Sequence, residues 1–159
     1  MLHRNLRKFV MGVLVGTGLA SFASIASASP PSNVSVENLA AGDLDESFQE
    51  NNDRIKYQTK DPTDLKMQKF TFGANSATGW HHHPGATLVI VQSGSVQLWH
   101  SDCSKKTYGP GSANGSAWVE GERVHQATSS AGATVFVTYT VPNGSPTRIE
   151  EPVPFCAQQ

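Results

Sequence analysis

The 159-residue chain has only two cysteines, Cys103 and Cys156, and neither lies in a CxxC pair or beside a histidine, which argues against a reactive thiol or a thiolate metal site. It has no cluster of Lys and Arg: 12 basic residues stand against 13 acidic ones, scattered along the chain. Nucleic acid and anionic membrane both select for clustered positive charge, so neither is expected as a partner. No Gly-rich loop opens a helix that could cradle phosphate, which excludes a nucleotide enzyme. Ser93, Ser95 and Ser129 lie in no nucleophile-elbow context, and no acid/base pair is identifiable, so nothing points to nucleophilic hydrolysis and the catalytic residues stay unassigned. Repeats, low-complexity tracts and helical apolar stripes of three turns are also missing.

The N-terminus is patterned for export. Arg4, Arg7 and Lys8 precede the apolar run "FVMGVLVGTGLASF", and "ASASPP" places small residues at Ala26 and Ala28 for a signal peptidase. The run is interrupted by Gly, Ser and Thr and falls short of the roughly 20 apolar residues of a bilayer span. Residues 1–28 are therefore read as a signal peptide without a twin-arginine pair, and the mature protein as secreted or periplasmic, with no membrane attachment after cleavage. Losing three of the 12 basic residues leaves nine against 13 acids, a net charge of −4 with His neutral. In an oxidising compartment Cys103 and Cys156 read as a disulfide pinning the Pro-rich tail "EEPVPFC".

Four segments follow: the leader 1–28, an N-terminal extension 29–60, a barrel over 61–145, and the tail 146–159. Residues 29–37 are polar and Pro-rich and expected to be loosely ordered, with an edge strand around Ile55 to Gln58. From Leu65 onward, short stretches alternate with Gly, Pro, Asn and Ser every eight to twelve residues, the signature of an all-β sandwich or barrel. "ATLVIVQ" is apolar on both faces and reads as a central strand; "GSVQLWH" alternates, with Val96, Leu98 and His100 sharing a face. Trp80, Trp99, Trp118, Phe136 and Tyr139 all fall on strands, where large rings pack the core.

The chemistry is concentrated in "GWHHHPG". Side chains at i and i+2 of a strand share a face, so His81 and His83 point one way and His82 the other. Two imidazoles rarely hold an ion alone. His125, in "RVHQ", is the candidate third ligand if its strand lies beside theirs.

The stretch "GWHHHPGATLVIVQSG" resembles the first motif of the cupins, and "VEGERVHQATS" resembles their second; the similarity runs from about Leu65 to Val141. The chain is also similar to small secreted bacterial cupins that open with "TGWH-x-HPG" and carry a Cys between the motifs and another near the C-terminus. The resemblance implies a double-stranded β-helix, or jelly roll, with His81, His83 and His125 holding one divalent metal ion: Fe, Mn, Zn, Cu or Ni. It implies oxidative, dioxygenase-like chemistry on a small-molecule ligand, with a non-catalytic metal- or ligand-binding protein as the alternative. Cupins often pair through sheet faces or exchanged N-terminal strands, and residues 34–60 could join two copies as a homodimer. Thr87 stands where the first motif has its glutamate, and Val119 where the second has its proline. The lost carboxylate leaves a more positive site that favours an anionic ligand. Glu120 or Glu122 is a candidate replacement, although the turn they occupy is expected to be solvated. Thr87, Gln97, Tyr139 and Trp80 are the expected pocket residues, His82 a surface residue and His100 a strand-end residue.

Overall fold

The computed structural model describes residues 28–157, so the N-terminal leader up to Ser27 lies outside the described residues. Twelve strands run in chain order: β1 Ser32–Leu44, β2 Gln49–Asn51, β3 Lys56–Gln58, β4 Thr63–Ala77, β5 His81–His82, β6 Ala86–Gly94, β7 Val96–His100, β8 Lys105–Tyr108, β9 Ala117–Glu120, β10 His125–Ser129, β11 Ala133–Pro142 and β12 Ile149–Glu150. A short 3-10 turn covers Phe155–Ala157, and among the described residues there is no α-helix. None of the described helices is long and apolar enough to cross a membrane.

The strands form two facing antiparallel layers. One has the order β1-β4-β11-β6-β9 and the other β12-β5-β10-β7-β8. The long β4 belongs to both: Thr63 to Phe72 pair with β1 and β11, while Ser76 and Ala77 reach over to Ser129 and Thr128 of β10. One strand crossing between layers turns the sandwich into a nearly closed jelly-roll barrel. β8 and β9 meet without a ladder, through the stacked rings of Tyr108 and Trp118, 4.6 Å between centroids.

Alternation decides what lies inside. On β11, Val135, Val137 and Tyr139 point inward, and Val89 and Val91 of β6 and Val96 and Leu98 of β7 meet them in one apolar cluster. Full burial of each such side chain contributes about 1.5–3 kcal/mol. β6 is flanked by β11 and β9, as its apolar sequence predicts, but its outer face is not covered: Leu88 and Ile90, with Val119 beside them, are exposed.

Residues 29–37 differ from the expectation of a loose segment. Ser32–Leu44 forms a 13-residue strand along the edge of β4, nearly all of it exposed. The edge of β4 presents a row of backbone donors and acceptors, and β1 satisfies them whatever its side chains are. The strand expected near Ile55 is β3, which pairs with β2 in a separate hairpin and not with the barrel. In the tail, Ile149 and Glu150 pair with His82 and His81, so the segment after residue 145 also forms part of the barrel wall.

Candidate metal centre

β5, β10 and β7 lie side by side, and register places His81 opposite His125 and His125 opposite His100. Directly opposed residues share a face, so the three histidines form a row across the wall. His83, one residue past β5, is held there by its N–H donating to the carbonyl of Gly121 at 3.0 Å. His81 and His83 are both buried, while His82 is half-buried and its Nδ1 lies 2.7 Å from Glu151 Oε1.

His81, His83 and His125 converge. Their ring centroids are 4.5–5.0 Å apart, and one ligand atom from each lies within 4.8 Å of the others. Each Nδ1 faces a backbone carbonyl: Gly79 at 2.9 Å for His81, Thr147 at 2.7 Å for His83 and Arg123 at 2.7 Å for His125. A carbonyl can only accept, so each Nδ1 carries the proton and donates it, leaving each Nε2 with a free lone pair. Ligating histidines are typically oriented in this way, by a carbonyl or carboxylate on the other ring nitrogen.

Protonation is suppressed as well. Burial, assisted by the charges of His125 and Arg148, pulls His81 from the ordinary 6.5 down to about 2. Burial lowers His83 and His125 to about 4 each, against the raising effect of their carbonyl partners. Three neutral imidazoles with free Nε2 atoms are a donor set that suits Zn, Fe, Cu or Ni. Among the described residues they form the one group of His, Cys, Asp or Glu able to share an ion.

Gly79 sets the approach to this centre. Its φ is +74°, and a Cβ would run into the carbonyl of Ser29. Only glycine accepts that backbone without strain, and the turn it makes delivers the carbonyl that orients His81. Ser29 Oγ in turn accepts the N–H of Trp80 at 3.1 Å.

The imidazoles open onto a cavity of about 50 Å³, with Phe70, Phe72, Val89, Leu98, Val135 and Val137 forming its apolar lining. Thr78, Thr87, Trp118 and Tyr139 also line it. The Tyr139 ring lies 5.5 Å from that of His83, and burial raises its hydroxyl pKa, so it stays protonated. Thr87 is fully buried, and its Oγ1 has no hydrogen-bond partner; neither does the buried Nε1 of Trp118. An orphaned buried polar atom costs about 1–3 kcal/mol, so two on one cavity call for an explanation.

Two expected pocket residues lie elsewhere. Gln97 is exposed, because the alternation that turns Val96, Leu98 and His100 inward turns it out. Trp80 is 2 % exposed but does not line the cavity; its backbone ties the Ser29 segment and Glu151 to the wall.

Glu120 corrects the expectation of a solvated rim carboxylate. It is 8 % exposed, with Oε1 3.3 Å from His100 Nε2 and Oε2 3.5 Å from His125 Nδ1. It thus sits behind His125, on the Nδ1 side, and is not among the converging ligand atoms. Burial raises its pKa, opposed by His100. Arg148, which sequence reasoning missed, lies near enough for its charge to lower all three histidines, and it forms an ion pair with Glu150 at 2.7 Å. A single arginine in a Pro-rich tail carries no signal of that position.

No family model and no curated protein matches the sequence. Solved structures do. The chain is similar to a cupin-2 domain protein from Rhodospirillum rubrum, at 10% identity and a TM-score of 0.50, over 82% of this chain and 72% of that one. It is likewise similar to the polyketide cyclase RemF from Streptomyces resistomycificus, at 17% identity and a TM-score of 0.50, over 79% and 80% of the two chains. At such identities the likeness is one of fold. The two antiparallel layers joined through β4, together with these matches, identify the molecule as a double-stranded β-helix with the fold of the cupin superfamily.

Proposed function

We propose that the protein is exported, loses its leader after Ala28, and binds one divalent metal ion through the Nε2 atoms of His81, His83 and His125. The observation that carries this reading is the convergence of three neutral imidazoles whose Nδ1 protons are all committed to carbonyls. Bound there, Fe, Mn, Zn, Cu or Ni would supply Lewis acidity or redox chemistry at coordination positions the protein leaves open. The chain's own part is to hold the rings, exclude bulk water with an apolar wall, and present the hydroxyls of Thr87 and Tyr139. The activity proposed is oxidation of a small molecule with both atoms of dioxygen entering the product, which requires no external reductant.

The export signal supports an extracytoplasmic location, and among the described residues no cysteine is free, which supports a Cys103–Cys156 disulfide in the mature protein. The side chain of Cys156 lies outside the described residues. A second reading, a non-catalytic binder of a metal or small ligand, is favoured by one observation. Apart from histidine, the cavity is lined only by hydroxyls, an indole and apolar groups, with no carboxylate or amine to serve as acid or base.

Metal analysis of the purified protein, wild type and His81→Ala and His125→Ala variants, tests the site. One equivalent in wild type and under a tenth in each variant is expected, and equal low content in all three after reconstitution would reject it. Oxygen uptake with small organic acids then separates enzyme from binder.

A further inference from the structure

We infer that the cavity beside the three imidazoles is a subsite for one small carboxylate, held by hydrogen bonds from Thr87 Oγ1 and Trp118 Nε1. The inference deepens the metal-binding reading and rests on it. Three observations carry it.

First, both polar atoms are enclosed and unpartnered, and both residues line the same cavity. They reach it from neighbouring strands: Thr87 pairs with Glu120 and Val89 with Trp118, so Thr87 and Trp118 project from β6 and β9 on the inner face. Second, the polar chemistry is that of donors. The indole N–H can only donate, a threonine hydroxyl can donate, and carboxylate oxygens only accept. Three neutral ligands leave the charge of a divalent ion uncompensated, which favours an anion beside it. Third, size is restrictive. At roughly 10–15 Å³ of such space per water, about 50 Å³ holds some three to five non-hydrogen atoms. Formate or acetate fits that space; an aromatic acid does not.

Thr87 therefore has a role of its own, as a hydroxyl donor to the bound anion.

The test uses the full mature protein loaded with Co²⁺, whose visible absorption responds to a new ligand, with calorimetry as a second readout. Formate is expected to bind saturably to wild type, and benzoate not to bind. Thr87→Val and Trp118→Phe are expected to keep one equivalent of cobalt and to weaken formate binding roughly tenfold or more each. Thr87→Val removes an unsatisfied hydroxyl with little change of shape, so it is the variant that decides if Trp118→Phe folds poorly. Formate affinity unchanged in Thr87→Val, or benzoate binding as tightly as formate, would overturn the subsite. Cobalt uptake without any response to formate would overturn the subsite and leave the metal site standing. No cobalt uptake in wild type would remove both.

Discussion

At the scale of single residues, the centre is defined by three ring nitrogens left free because three others are occupied. That arrangement has a pH signature in the metal-free protein. An imidazole with a folded pKa below its unfolded 6.5 takes up its proton only on unfolding, so the unfolded chain binds more protons between the two values. Stability is then complete above pH 6.5 and falls as pH drops toward about 4, by about 1.4 kcal/mol per pH unit for each such histidine. Glu120, whose pKa burial raises, offsets part of one of these slopes. Urea midpoints of the chelator-treated protein should fall steadily from pH 7 to pH 5, and His81→Phe should flatten the decline by about a third. A flat profile in wild type would mean that the three rings are not buried as neutral groups. Thr87→Glu probes the same spot from the opposite side. A carboxylate buried in the apolar cavity should destabilise the metal-free protein by several kcal/mol, and excess Zn²⁺ should restore much of the loss. Thermal scans with and without zinc read both effects.

Among the elements, the short β5 and the turn before it do most to place the ligands. Gly79→Ala forces a Cβ into a left-handed backbone and against Ser29, and should cost more than about 1 kcal/mol. Because the Gly79 carbonyl orients His81, the same variant should weaken zinc binding about tenfold, measured by competition with a chromophoric chelator. A variant with wild-type affinity would show that His81 is positioned by its strand pairing alone. The elements also show what a sequence can reveal. His81, His83 and His125 were legible because strand alternation and the two histidine-bearing motifs are local patterns. Gln97 belongs on the outer face by alternation, since Val96, Leu98 and His100 claim the inner one. β1 was not legible, because "SNVSVENLAAGDL" has little strand pattern and becomes a strand only through the unpaired edge of β4. Glu120 was expected in solvent because its turn is polar; its burial depends on His100 and His125, which arrive from other strands.

For the whole molecule, metal binding and folding are linked, since the ligands come together only when β5, β10 and the tail segment are all in place. An ion at a free concentration 100 times its Kd should add about 2.7 kcal/mol to stability and raise the melting temperature by several degrees. The proposed disulfide would act on the unfolded chain. Closing a loop of about 50 residues contributes roughly 4 kcal/mol in the chain-entropy description, so reduction should lower the melting point even when zinc is saturating. The claim on which all this depends is that three imidazoles share one ion inside the barrel. X-ray absorption at the zinc edge of the loaded protein tests it most directly. The expected spectrum has three imidazole nitrogens at about 2.0–2.1 Å with outer-ring scattering, a shell that His125→Ala loses along with the bound zinc. A shell of oxygens only, or a spectrum that His125→Ala leaves unchanged, would contradict it.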